Sequence, residues 1–297
     1  MKQSYKDINF SKEKLTLILY IDKMCREYQA QGFMLSVRQL YYQLVARAMV
    51  PNTEQSYKRV ASIINDGRMA GYIDWDVIED RGRDIEVRSH WTSGAEIIRG
   101  SANQYHMDMW DNQHSRVFVI VEKAALAGVL GGVCRKFDVP LLAARGYPSV
   151  SVVRELVLEH LLPAINFGQE ITILHLGDHD PSGIDMTRDL DDRIRIFVEG
   201  QADTEVSRIA LTMEQINRHK PPPNPAKVTD SRFASYARQF GDESWELDAL
   251  EPAQLVDLVT GHIERQIDDE RWEERSQEIA DVKKRLKKLA DDFEAED

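Results

Sequence analysis

The hydrophobic and polar positions of this chain change period as it proceeds. Near the start they recur at helical spacing: at about 100° per residue, Val37, Leu40, Tyr41, Leu44, Val45 and Ala48 fall on one stripe. Ser36 followed three residues later by Gln39 is a capping-box signature, so a helix is predicted to begin at Val37. Pro51 and Asn52 stop it, and Thr53 can cap a second helix ending near Gly67. That second helix turns Tyr57, Val60, Ala61 and Ile64 inward and leaves Ser56, Lys58, Arg59 and Asn65 outside. A preceding helix over residues 15–28 and a hairpin over 72–78 complete the unit. Helix, short turn, helix and hairpin suit a winged helix-turn-helix, and equally a small helical bundle that binds a protein.

Further on the period disappears. Residues 117–121 and 171–176 are short continuous apolar runs bounded by turn residues, with helical segments between them. Such runs predict buried parallel strands of an α/β sheet. The first ends on Glu122; the second stops at Gly177 and at once presents Asp178 and Asp180. PPPNP at 221–225 reads as a stiff connector. Beyond it Trp272, Arg275, Ile279, Val282, Leu286, Leu289 and Phe293 follow alternating three- and four-residue steps, a stripe expected to dock on the sheet domain. The fold class expected is α/β (α+β overall). The expected division is residues 1–90 as the N-terminal helical domain, 91–113 as a linker, 114–240 as the sheet domain and 241–297 as an acidic helical segment.

Composition narrows the setting. The chain has 297 residues, 42% hydrophobic and 30% charged, with no apolar run long enough to span a bilayer. Its beginning lacks the apolar core of a signal peptide, and its two cysteines, Cys25 and Cys134, suit a reducing compartment. A cytoplasmic location with no membrane partner is expected. The net charge of −12 disfavours nucleic acid as a whole, but its distribution does not. Residues 1–90 carry 14 Lys+Arg against 12 Asp+Glu, whereas 241–297 carry 8 against 19, so the first ninety residues are free to approach phosphates.

Three carboxylates at two strand ends, Glu122, Asp178 and Asp180, repel one another unless a cation sits among them. Hard oxygen donors favour Mg²⁺, and Mg²⁺-carboxylate sites commonly handle phosphates. In the first helix Tyr41 points into the core while Tyr42 lies about 100° round, outside the stripe, with Arg38 one turn away. An exposed tyrosine beside a guanidinium is a candidate nucleophile, since a cation favours the phenolate; the plainer alternative is a surface tyrosine stacked on an arginine. His179 is expected to point away from any metal, and His175 to be a hydrogen-bonded core residue. Lys123 meets a phosphate or is simply solvated. Asp185 orients the site or favours the N-terminus of its helix, and Arg145 and Tyr147 shape a turn.

Four ordered blocks carry a resemblance: RQLYY at 38–42, VIVEK at 119–123, RGYPS at 145–149 and GDHDPSG at 177–183. RIALT at 208–212 and WELDAL at 245–250 follow where a later strand and an acidic segment belong. Together they resemble the A subunit of topoisomerase VI and the related meiotic double-strand-break protein, most of all the compact stand-alone homologues called mini-A. Ser149 stands where that family has an aspartate. The resemblance implies a CAP-like winged-helix domain followed by a Rossmann-like Toprim domain. It implies Tyr42 as nucleophile, Arg38 as stabiliser of the phosphate, and Glu122, Asp178 and Asp180 as holders of one or two Mg²⁺, Mn²⁺ being possible in their place. Lys58, Arg59, Lys123 and Arg145 become DNA contacts. The implied activity is a 5′-phosphotyrosyl double-strand break in double-stranded DNA, made at the nucleoid by a homodimer in which each tyrosine serves the other protomer's metal site. Neither GxxxxGK[ST] nor an extended glycine-rich lid is present; GVLGG at 128–132 is expected to end a helix, so any ATPase would be a separate subunit. Two alternatives stay open, a Toprim nuclease using metal-activated water and a non-catalytic DNA-binding protein.

Overall fold

Side-chain caps set the first elements. The computed structural model describes residues 2–79 and 90–296. It begins with α1 (Lys12–Ala30), β1 (Leu35–Ser36), α2 (Val37–Ala46), α3 (Glu54–Met69) and β2 (Ile78–Glu79). The predicted capping box is present: the Gln39 N–H donates to Ser36 Oγ at 3.3 Å and the Ser36 N–H to Gln39 Oε1 at 2.8 Å. Thr53 caps α3 as expected. Helix α2 stops before Pro51, because Ala48 adopts a left-handed φ of 54°. Helix α3 ends at Met69, near Gly67 as expected. A Cβ at Gly67 would lie 3.0 Å from Ile73 Cδ1, so this glycine serves close packing. Ile18, Ile21, Leu40, Leu44, Ile64 and Ile73 form the core of this unit.

The hairpin expected over 72–78 is not formed. Asp74 accepts the N–H of Asp76 at 3.1 Å and caps a 3-10 turn, Trp75–Val77, which leads directly into β2. That strand pairs parallel with β1, Leu35 opposite Ile78. Residues 80–89, within the expected 1–90 domain, lie outside the described residues.

The second unit holds α4 (Gly94–Gln104), β3 (Ser115–Val121), α5 (Ala127–Lys136), β4 (Leu141–Ala143), α6 (Val150–Leu156), α7 (Leu162–Asn166), β5 (Glu170–Leu176), α8 (Pro181–Val198), β6 (Val206–Ala210) and α9 (Met213–His219). Both apolar runs are strands of one parallel sheet, ordered β4-β3-β5-β6. Side chains alternate across it: Val117, Val119 and Val121 join a cluster with Leu130 of α5, while Phe118 and Ile120 join Val153 of α6 and Leu190 of α8. Helices therefore cover both faces, as an all-parallel sheet requires. Val121 is in register with both Ala143 and Leu176, so Glu122 and Gly177 leave the sheet side by side. The connections reverse direction between β3 and β5, and such a switch point opens a crevice at the carboxyl ends. GVLGG sits inside α5 rather than at a helix end.

The chain continues through β7 (Asn224–Pro225), α10 (Phe233–Phe240), β8 (Glu243–Ser244), α11 (Pro252–Glu264) and α12 (Asp269–Glu296). The expected connector thus contributes a strand, β7, paired antiparallel with β8. Helix α12 docks at both ends. Trp272 packs against Trp110 and Phe137, with ring centroids 5.6 and 6.3 Å away. Towards the other end Arg99 of α4 pairs with Asp291 at 2.8 Å and with Glu294. The segment expected as a linker therefore carries a helix. Among the described residues no helix is long and apolar enough to cross a membrane.

Because the capping box anchors the helix that carries Arg38 and Tyr42, Ser36→Ala is expected to cost about 1 kcal/mol of stability. Urea unfolding checks this: the midpoint falls while the slope stays unchanged.

Candidate active site

Carboxylates crowd the carboxyl ends of β3 and β5. Glu122 Oε2 accepts the N–H of Asp178 at 2.9 Å. A Cβ at Gly177 would lie 3.0 Å from that same oxygen, so a glycine lets the carboxylate fold across the neighbouring strand. Asp178 Oδ1 accepts the N–H of Leu247 at 2.8 Å. Asp180 caps α8, accepting from the N–H of Gly183 at 2.6 Å and from Ser182 Oγ at 3.0 Å, with Pro181 in the first turn. A side chain at Gly183 would place its Cβ 2.2 Å from the Asp178 carbonyl, an overlap no flexible neighbour can relieve.

Two further carboxylates, Glu246 and Asp248, complete the cluster, and cations from three separate elements hold it together. Lys123 contacts Asp178 Oδ2 at 2.8 Å, Asp248 Oδ1 at 3.3 Å and Glu246. Arg38 of α2 reaches Glu246 at 2.9 Å and Asp248 at 3.1 Å. Arg208 lies beneath, donating to the carbonyls of Gly183 and Gly177 at 2.9 Å and of Asp178 at 2.5 Å. Burial and the nearby Asp178 and Asp180 push the Glu122 carboxyl up to about 7. Burial likewise raises Asp178, against the pull of Lys123. Burial lowers the Arg208 guanidinium to about 10 despite its acidic neighbours.

The two tyrosines differ from expectation in burial. Tyr41 points inward, and its hydroxyl accepts the Thr53 N–H at 2.8 Å. Tyr42, expected on the exposed side, is also buried, at 7% exposure. The helical stripe accounts for one packed face of α2. A second face is covered by the turn Leu247–Ala249, and Ala249 joins the N-terminal core. Gln39 and Gln43 are buried as well, Gln43 accepting from the Tyr28 hydroxyl of α1 at 3.0 Å. Tyr42 nevertheless lines a cleft of about 580 Å³, together with Arg38, Tyr57, Glu122, Asp178, Asp180 and Glu246 of its own chain. The Arg38 guanidinium carbon lies 5.7 Å from the Tyr42 ring centroid. Burial foremost, then Asp248, pushes the Tyr42 phenol up to about 12, and Arg38 opposes the shift.

The remaining residues separate clearly. Lys123 is neither solvated nor presented outward; it is committed to the acidic cluster. Lys58 and Arg59 are exposed on α3, Lys58 pairing with Glu54 at 2.7 Å, and Arg59 lines a different groove against α1. Arg145 is exposed in a left-handed turn with φ 56°. None of these three lines the cleft. Ser149 caps α6 through the N–H of Val152 at 3.3 Å. His179 turns away from the carboxylates, its Nδ1 2.9 Å from the Tyr236 hydroxyl and its ring among Tyr236, Phe240 and Trp245. His175 is a buried core residue with Nδ1 2.8 Å from Thr187 Oγ1. Asp185 accepts from the Tyr147 hydroxyl at 2.7 Å and pairs with Arg188 and Arg232.

Sequence reasoning noted WELDAL and RIALT as segments without assigning Glu246, Asp248 or Arg208 a place. The usable signal was charge inside otherwise apolar stretches. Asp248 stands between Leu247 and Ala249, and Arg208 begins an apolar run.

An all-oxygen set in which burial, then repulsion, raises the Glu122 and Asp178 carboxyls suits a hard divalent cation in its donor chemistry. The arrangement is not that of a closed metal centre. Among the described residues no group of three or more His, Cys, Asp or Glu side chains is gathered as ligands. Lys123 occupies Asp178, and Asp180 is engaged as a helix cap. No family model, curated protein or solved structure matches the chain.

The raised Glu122 carboxyl makes stability fall with pH in chelator-treated protein. Folding holds a proton that the unfolded chain releases from about 4.5 upward, and the loss is complete above about 7. Glu122→Gln, which preserves the acceptor, is therefore expected to raise stability by roughly 2–4 kcal/mol above pH 7, with the gain vanishing towards pH 4.5. Thermal melts of both proteins across that range check it.

Proposed function

We propose that this chain cleaves double-stranded DNA by transesterification at Tyr42, as a relative of the type IIB topoisomerase A subunits it resembles in sequence. On this proposal α2 and α3 belong to a winged-helix domain and the parallel sheet to a Toprim domain. The observation that carries it is the shared cleft, in which Tyr42 and Arg38 face the strand-end carboxylates Glu122, Asp178 and Asp180. The order of the four blocks along the chain and the strand switch point beneath the carboxylates support it.

The Tyr42 oxygen attacks the phosphorus of a phosphodiester. A tyrosyl O–P bond forms as the P–O3′ bond breaks, leaving a 5′-phosphotyrosyl link and a 3′ oxygen that takes up a proton. Tyr42 is a phenol at neutral pH, so its proton must leave as it attacks. Arg38 is the cation that opposes its raised value, and its guanidinium is placed to meet charge developing on the phosphate once Glu246 or Asp248 releases it. Glu122 and Asp180, joined by Asp178 when Lys123 lets go, would hold Mg²⁺ or Mn²⁺, which supplies charge neutralisation at the phosphate when bound. Lys58, Arg59 and Arg145 are the exposed cations that reach flanking phosphates. A homodimer pairs two such cuts into a double-strand break at the nucleoid in the cytoplasm, and any ATPase subunit is separate.

A second reading has an observation in its favour. Burial and the acidic neighbours hold the Tyr42 phenol at about 12, which disfavours it as a nucleophile and leaves water activated at the same carboxylates as the attacking group.

Labelled DNA incubated with protein and Mg²⁺, run on a denaturing gel, separates the two. Covalent adducts are expected from the native chain and are expected to vanish in Tyr42→Phe; cleavage that survives that change identifies water as the nucleophile. Asp178→Ala is expected to abolish cutting while DNA binding, read by mobility shift, is retained. Undiminished cutting would remove Asp178 from the site.

A further inference from the structure

We infer that Lys123 is an exchangeable cation: its ammonium holds the carboxylate oxygen that a divalent cation needs, so the divalent cation enters only as Lys123 leaves. This rests on the metal-dependent cleavage proposed above, and it holds whichever protomer supplies the tyrosine. It follows from how the strand-end oxygens are committed. Glu122 gives Oε2 to the Asp178 N–H at 2.9 Å, and Asp180 gives Oδ1 to the Gly183 N–H and Ser182 Oγ. Among the described residues Glu122 Oε1 and Asp180 Oδ2 take no hydrogen bond. Asp178 has neither oxygen open. Its Oδ1 accepts the Leu247 N–H at 2.8 Å, and its Oδ2 meets Lys123 at 2.8 Å.

The other two cations cannot take that part. Arg38 pairs with Glu246 and Asp248 and touches none of the strand-end carboxylates. Arg208 is fixed by neutral acceptors, donating to the carbonyls of Gly177, Asp178 and Gly183 and to Thr187 Oγ1 at 3.0 Å. A guanidinium forked over carbonyls stays where it is, whereas an ammonium on a flexible stem can swing between anions. Lys123 also meets Glu246, which lines the cleft, and its side chain keeps 15% exposure, so its way out is short. A dication on Asp178 Oδ2 repels it outward. A DNA phosphate in the cleft then gives the released ammonium a partner, so DNA and metal each favour the other's binding.

The test reads Mn²⁺ binding to the full-length, DNA-free chain from the EPR signal of the free ion. Lys123→Met is expected to bind Mn²⁺ about tenfold more tightly than the native chain. In an Asp178→Asn background the same change is expected to alter affinity by less than about twofold, because the contested oxygen is gone. Equal or weaker binding by Lys123→Met overturns the inference, and so does a gain that survives Asp178→Asn, which marks a purely structural effect.

A measurement on the native chain does not depend on any variant folding. Reductive methylation of lysines, followed by peptide mass spectrometry, is expected to label Lys123 several-fold faster with Mg²⁺ than without it, while the exposed Lys58 keeps its rate. A Lys123 rate that Mg²⁺ slows or leaves unchanged overturns the exchange. Neither measurement needs DNA to be cut. Covalent adducts from the native chain without the Lys123→Met gain take down this inference alone. The gain without adducts takes down the tyrosine step and leaves the exchange standing, and no Mn²⁺ bound by either protein takes down both.

Discussion

Negative charge converging on the carboxyl end of the parallel sheet is the constraint under which the rest of the structure is arranged. Glu122, Asp178 and Asp180 leave two adjacent strands, and Glu246 and Asp248 come in from a later turn. Left alone they would repel one another in a partly dry setting, and burial first, then their acidic neighbours, raise the Glu122 and Asp178 carboxyls. Lys123, Arg38 and Arg208 offset it, each from a different element. Ion networks of this kind are weak evidence for net stability, because desolvation consumes much of the attraction. What they enforce is arrangement. Arg38 belongs to the helical unit, so charge balance at the sheet holds α2 against it.

Topology explains why the charges gather there. In the order β4-β3-β5-β6 successive connections leave in opposite directions between β3 and β5, and the crevice opens where they part. Matched register brings Glu122 and Gly177 out together. The two glycines of GDHDPSG then permit close approach, one of a carboxylate and the other of a backbone carbonyl. Between them, Asp180 serves as cleft wall and helix cap at once.

Much of this was legible in the sequence. The two apolar runs became β3 and β5, the Ser36–Gln39 and Thr53 caps sit where the pattern put them, and both histidines near the site are structural. What escaped was tertiary. A helical wheel knows one partner surface, so Tyr42 was assigned to solvent although a turn some two hundred residues later covers it. Lys123 was given to DNA or water because a sequence does not say which carboxylates will surround an ammonium. The hairpin failed because Asp74 caps a tight turn that carries the chain parallel to β1. GVLGG was taken as a helix end, whereas it lies inside α5.

The pairing of α4 with α12 bears on how the chain is made. Arg99 and Asp291 are separated by 192 residues, so α4 emerges from a ribosome long before its partner is synthesised. At about 5–20 residues per second that interval is roughly 10–40 s. Within it the sheet and its acidic crevice can assemble while the face of α4 that carries Ala95 and Ala102, buried in the finished fold, waits for α12.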